Sequence, residues 1–163
     1  MIIKLINKDT LICDNFKFRC CIGKEGVKRN KAEGDNCTPI GTFGLGPVYY
    51  RADRHKKPIT KLKTIKIIKN MGWCDDPNNK NYNNQIKLNK FNKGEKLYRN
   101  DKIYDLILVV KYNSKKVIKN KGSAIFIHLT KSFKPTKGCI GLSFNDLKIL
   151  LKIINKNSKV KII

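Results

Sequence analysis

Negative charge is what this chain has least of. Twelve Asp and Glu stand against 36 Lys and Arg, giving a formal net charge of +24 over 163 residues. Such a balance points to anionic partners rather than basic ones. Arginine is scarce as well: only 5 of the 36 bases are Arg, and the lysines are scattered rather than gathered on one helix. Arginine is the side chain that grips phosphates and base edges bidentately. A specific nucleic-acid reader is therefore not expected, whereas non-specific attraction to anionic polymers or surfaces is. Long apolar runs are missing too, so no transmembrane segment is expected. The opening "MIIKLINKDTLICDNFKF" lacks an unbroken apolar core and a small-residue cleavage site, so no export signal is expected there. No C-x-x-C pair occurs, and neither histidine falls at zinc-ligand spacing to a cysteine pair, so no metal is expected. The six cysteines at 13, 20, 21, 37, 74 and 139 belong to a chain too large to need a disulfide framework. Five of them read as free, mostly buried thiols, and Cys20 and Cys21 would point to opposite faces of a strand.

What is present is a globular composition, 40% hydrophobic, at a length suited to one domain spanning residues 1–163. "MIIKLI" and "TLICDNFKFRCCIG" have strand character and imply a hairpin around Asn7-Lys8-Asp9. Residues 23–47 are dense in glycine and carry Pro39 and Pro47, which predicts a loop-rich stretch. "VYYRADRH" and "TIKIIK" are further strand candidates. Residues 72–101 predict a polar surface loop with a short helical piece around Glu95–Tyr98. "YDLILVVKY" and "SAIFIHL" are near-continuous apolar runs, as expected of central strands. "SFNDLKILLKIIN" places apolar residues at 147, 150, 151 and 154 on one helical face. Ser143 or Asn145 would cap that helix, with Asp146 in its first turn, and "KVKII" returns to strand. The fold class expected is mainly β with one helix near the C-terminus and a monomeric state.

The segment "FIHLTKSFKPTKGCIGLS" raises the functional question. His128 closes an apolar strand, and Cys139 follows a loop long enough to turn the chain back beside it. A thiol near pKa ~8.5 is mostly protonated at neutral pH and needs a base or positive field to attack. Histidine suits that task because it titrates near working pH. Gly138 permits an unusual backbone approach, and amides at Gly138 and Cys139 could form an oxyanion pocket. Lys131, Lys134 and Lys137 would favour a thiolate. The opposing reading is two structural residues that never meet. Asp75–Asp76 before Pro77 reads as turn chemistry, His55 as a surface residue, and Glu33 and Asp35 as solvated loop carboxylates.

Read together, His128 and the run Thr136, Lys137, Gly138, Cys139, Ile140 resemble the signature of the L,D-transpeptidase catalytic-domain family. "AEGDNCTPIGTFGLG" at 32–46 resembles that family's upstream Glu-Gly-Asp-x-x-Thr-Pro-x-Gly-x-Phe stretch. "YYRADRHKKP", "GWCDDPNNKNYN", "EKLYRNDKIYDLILVVKYN" and "GSAIFIHL" resemble blocks of a compact, single-domain branch. The resemblance covers roughly residues 10 to 160. It implies a β-sandwich-like fold and a cysteine acyltransferase that acts on peptidoglycan tetrapeptide stems in the cell envelope, with no cofactor. Cys139 would be the nucleophile, His128 the base and Gly138 part of the oxyanion site. Thr136, Ser132 and Gly141 would meet substrate, and Ser132 or Thr136 could orient the imidazole unless a backbone carbonyl does. Two departures stand out: Leu129 replaces a Gly that often follows the histidine, and Gly141 replaces an Arg that often sits two residues after the cysteine. A carboxypeptidase using water as acceptor is one alternative, and a catalytically idle, basic wall- or polyanion-binding module is another.

Overall fold

The computed structural model of the protein describes residues 1–163. Its elements, in chain order, begin with β1 (Ile2–Asn7), β2 (Thr10–Cys13) and β3 (Phe16–Cys21). There follow β4 (Val27–Lys28), β5 (Thr38–Pro39), β6 (Gly41–Tyr50), β7 (Thr64–Lys66), β8 (Met71–Trp73), β9 (Gln85–Lys87) and β10 (Glu95–Lys96). The chain ends with β11 (Leu106–Val110), β12 (Phe126–Leu129), β13 (Ile140–Leu142), α1 (Phe144–Ile153) and β14 (Lys159–Ile162). No helix is long and apolar enough to cross a membrane. The fold is mainly β, and the strands expected at both ends and at 104–129 are in place.

The large sheet runs β11-β12-β13-β3-β2-β1-β14-β6-β7, and β11 also pairs with β6. Strand β6 makes this closure possible because it is long. Its first half pairs with β14 and its second half with β11. Strand order therefore returns on itself, which removes most of the exposed edges a sheet would otherwise present. This strand starts at Gly41, well inside the stretch expected to be loop; alternating small and apolar residues let it run on through the glycines.

Inside the closed sheet lies an aliphatic core. Leu106, Leu108 and Val110 of β11 and Ile127 and Leu129 of β12 face into it, joined by Leu147, Leu150 and Leu151 of α1. The helix starts where the sequence placed it: Ser143 Oγ accepts from the Asp146 amide at 3.2 Å and donates to its carboxylate at 2.7 Å. Each buried leucine contributes roughly 1.5–3 kcal/mol of hydrophobic stabilisation.

The alternate residues of the same strands, Ile107, Val109 and Phe126, are buried on the opposite face in a second cluster. The strands are apolar throughout because both their faces are covered. The cover comes from residues 71–97, most of the 72–101 stretch that was expected to be a surface loop. They form a small sheet, β10-β8-β9, whose Trp73 and Leu97 pack against the central strands. The stretch expected to be helical at Glu95–Tyr98 is instead β10, paired with β8 through Glu95 and Trp73. Few apolar residues were needed, because a handful of large aromatics does the covering. Trp73 and Tyr104 both meet Phe126 edge-on, with centroids 5.1 and 6.0 Å away.

Candidate active site

Strands β12 and β13 are parallel neighbours, with Ile127 opposite Ile140 and His128 opposite Gly141. Cys139 stands one residue before β13. The period of two along each strand therefore puts Phe126, His128 and Cys139 on the outer face. His128 and Cys139 both line one cleft of about 820 Å³. Its far wall is built by the 71–105 segment, through Asp75, Glu95, Arg99, Asp101 and Tyr104. Its near rim is the loop that joins His128 to Cys139, including Ser132 and Thr136.

The thiol is held by two backbone groups. Cys139 Sγ donates to the Ala124 carbonyl at 3.2 Å and accepts from the Phe126 amide at 3.3 Å. Burial, with the Glu95 charge adding to it, pushes the thiol up to about 12. It is therefore a neutral thiol at pH 7 in this state, and the thiolate expected from the neighbouring lysines is not formed. His128 is displaced the other way: burial lowers its pKa to about 4. Its Nδ1 lies 2.9 Å from the Leu129 carbonyl. A carbonyl only accepts, so Nδ1 carries the proton and Nε2 is left as a basic lone pair. The imidazole also stands against the Tyr104 ring, centroids 5.3 Å apart.

Around the thiol, backbone is positioned by threonines. Gly138 has φ of +134°, and a Cβ there would lie 2.7 Å from the Cys37 carbonyl oxygen. No other residue fits without moving the Cys37 segment. The Thr38 hydroxyl donates to the Gly138 carbonyl at 2.9 Å. Thr136 Oγ1 donates to the Cys139 carbonyl at 2.6 Å and accepts from the Gly138 amide at 3.0 Å. The Gly138 amide is thus engaged, not free for an oxyanion as expected, because the Thr136 hydroxyl reaches it first. Thr136 shapes the loop that leads into Cys139.

Comparison with known proteins gives a consistent answer. Residues 5–162 match the YkuD family, described as L,D-transpeptidase catalytic domain. The chain belongs to the L,D-transpeptidase catalytic-domain family. That family acts on peptidoglycan. Among solved structures, the chain is similar to the helical cell shape determining protein Pgp2 from Campylobacter jejuni. The TM-score is 0.52 at 19% identity, over 99% of this chain and 46% of that one. The chain thus spans less than half the length of that protein, and at this identity the likeness shows the fold. No curated protein matches by sequence.

Seen within the L,D-transpeptidase family, both departures gain a physical reason. Gly141 does not line the cleft, contrary to expectation. It lies opposite Cys21 of β3, and a Cβ at 141 would stand 2.6 Å from Cys21 Sγ and 3.2 Å from Thr130 Cβ. The space an arginine stem would need is filled by the Cys21 sulfur. Leu129 turns its side chain into the aliphatic core while its carbonyl orients the imidazole. That role had been open among Ser132, Thr136 and a backbone carbonyl; neither Ser132 nor Thr136 bonds the ring.

Other expectations resolve as follows. All six cysteines are free and buried. Asp76 caps a turn by accepting from the Asn78 amide at 2.9 Å, whereas Asp75 faces the cleft. His55 is tied to the buried Asp105 at 2.9 Å, alongside Arg54 at 2.7 Å, and so anchors its loop. Asp35 is no solvated carboxylate: it accepts from Lys31 Nζ at 2.5 Å and from the Ala32 and Cys37 amides. Glu33 lines the cleft and accepts from the Tyr82 hydroxyl.

Several contributors escaped the sequence reading. Ala124, at φ of +52°, presents the carbonyl that holds the thiol. Its strained backbone is supported by buried Asn83, whose Oδ1 accepts from the Ala124 amide at 3.0 Å and from Trp73 Nε1 at 2.9 Å. Asn83 Nδ2 donates to the Tyr112 and Asn113 carbonyls at 3.0 and 2.8 Å, so all its hydrogen-bonding capacity is used across the fold. Glu95, half-buried and raised in pKa by desolvation, accepts from Tyr104 Oη at 2.5 Å. Arg99 could have been singled out, since arginine is so scarce; it pairs with Asp101 and lies over Tyr104, 5.1 Å from the ring centre.

Proposed function

We propose that this chain is a cysteine acyltransferase acting on peptidoglycan stem peptides, with Cys139 as nucleophile and His128 as base. One observation carries the reading: Cys139 and His128, whose imidazole leaves Nε2 free of a proton, line one cleft from adjacent parallel strands. Neutral resting forms suit a concerted transfer, because a neutral imidazole is the form that accepts a proton. Substrate entry draws the thiol from the Ala124 carbonyl towards His128, as such hydrogen bonds tighten only in the reacting complex.

The Cys139 Sγ–H proton passes to His128 Nε2 as sulfur adds to the carbonyl of the stem's diamino acid. The tetrahedral intermediate collapses, the C–N bond to the terminal D-alanine breaks, and the imidazolium protonates the leaving amine. The thioester is then opened by an acceptor amine from another stem. That amine loses its proton to His128, the new amide forms, and Cys139 regains its proton from the imidazolium. With water as acceptor the same steps give a carboxypeptidase. The Cys139 amide remains as an oxyanion donor, with Gly138 joining if Thr136 releases it. A contribution to cell shape accords with the structural likeness to Pgp2.

Mass spectrometry after exposure to a tetrapeptide stem or a carbapenem-type acylator tests the assignment. The expected result is one adduct, on Cys139 alone among the six cysteines. Folded protein without that adduct, or an adduct that persists at full yield in Cys139→Ser, overturns it.

A further inference from the structure

A second concavity, of about 700 Å³, lies beside the cleft between β6, β14 and the 111–121 segment. Six exposed cations line it: Arg29, Lys111, Lys115, Lys116, Lys121 and Lys159. No carboxylate lines it, and none of the six takes part in an ion pair. Concave walls of one charge sign focus the field and draw in counter-charged ligands.

The groove is built rather than incidental. Asn113 holds the lysine-bearing loop closed by donating to the Ile118 and Gly122 carbonyls at 2.9 and 3.0 Å and accepting from the Ile118 amide at 2.8 Å. The Tyr112 hydroxyl donates to the Lys121 carbonyl, and Asn83 ties down the start of the loop. Ordering of this kind lowers the entropic cost of binding. The floor carries an edge-to-face pair, Phe43 and Tyr112, with centroids 5.4 Å apart, beside the exposed Ile118. Lys31, buried and paired to Asp35, walls both this groove and the cleft that holds Cys139. The groove and the cleft therefore adjoin at Lys31.

We propose that this groove seats the anionic glycan-peptide strand that delivers stems to Cys139, its lysines meeting carboxylates of neighbouring stems and its apolar floor meeting sugar. This rests on the acyl-transfer reading above. A carboxylate polymer fits better than nucleic acid: five of the six cations are lysines, point charges without a planar fork, and the half-buried aromatic pair presents no open stack for bases.

The test compares three proteins: the wild type, the groove variant Lys115→Gln/Lys116→Gln/Lys121→Gln, and the control Lys63→Gln/Lys66→Gln/Lys69→Gln, which removes the same charge near β7. Co-sedimentation with purified sacculi is measured from ~50 to ~200 mM salt, where such contacts weaken steeply, alongside turnover of a soluble tetrapeptide stem. The groove variant should lose retention at least ~10-fold at the lower salt while the control stays within ~2-fold, by the usual size of several released charge contacts. Both should turn over the soluble stem at the wild-type rate. Equal loss in control and groove variant, or equal retention in all three, overturns the proposal. So does displacement of wild type from sacculi by duplex DNA or polyphosphate at concentrations where charge-matched polyglutamate has no effect. If the groove behaves as expected but Cys139 is never acylated, the acyl-transfer reading fails while the groove stands.

Discussion

The two faces of β11 and β12 are made from the same strands and do different work. The inner face is aliphatic, built by residues that alternate along each strand and by one amphipathic helix. The outer face mixes aromatics with His128, Cys139 and Asn83, and draws its partners from segments far away in sequence. An apolar inner face tolerates exchange of one hydrophobe for another of similar volume. The outer face cannot, because its polar members each need a particular partner to be buried at all. Aliphatic packing is concentrated on one side of the sheet and the candidate site lies on the other.

The largest expected effect separates them. Cys139→Ala should cut acyl transfer by roughly 10⁴-fold with little change in urea midpoint. Ile127→Ala on the inner face should cost about 2–5 kcal/mol of stability while the folded fraction keeps its turnover number. Turnover and denaturation measured together on both variants check this; a Cys139→Ala protein that unfolds as readily as Ile127→Ala would erase the distinction.

Next comes Asn83, where the outer face depends on buried polar bonds. Asn83→Ala should lower stability by about 2–4 kcal/mol, from four lost hydrogen bonds and the orphaned groups they leave. It should also slow turnover, because Ala124 loses the support for its strained backbone. A variant with lower stability and unchanged turnover would detach Ala124 from the chemistry.

The pH dependence of folding is the third way to probe this face. His128 has a folded pKa near 4, below its ordinary 6.5, so the unfolded chain binds its proton first as pH falls. Its contribution is therefore fully present above about pH 6.5 and lost as pH drops towards 4, up to about 3 kcal/mol. Denaturation series from pH 7.5 down should fall less steeply in His128→Asn than in wild type.

The smallest effect concerns the strand pair beneath the site. Gly141→Ala should cost about 1–3 kcal/mol by overpacking against Cys21. Adding Cys21→Ala should return part of that loss, as expected when two residues share one space. Strict additivity of the two would mean the sulfur is not what bars a side chain there.

Much of the inner architecture was legible because its signals are local. The apolar run of "YDLILVVKY", the helical spacing of Leu147, Leu150 and Leu151, and the Ser143 cap each lie within a few residues. That His128 and Cys139 share one cleft follows from their spacing and the blocks around them. Residues 71–105 were not, since Trp73, Asn83, Glu95 and Tyr104 sit singly among polar residues and gain meaning only when folded over Phe126. Glycine density concealed β6 as well, because a closed sheet can use glycine where strands press together. The fate of the Gly138 amide could not be foreseen either: it turns on the rotamer of one threonine hydroxyl.

One bond has a consequence for genetics. The hydrogen bond that aims the imidazole ends on a main-chain oxygen, that of Leu129. Every amino acid supplies that oxygen, so no substitution at 129 deletes it. A scan of single replacements across this candidate site would report on Cys139 and His128 and return silence for the group that holds the ring. The orienting element is written in strand geometry, beyond the reach of codon change, and selection acts on it only through the fold.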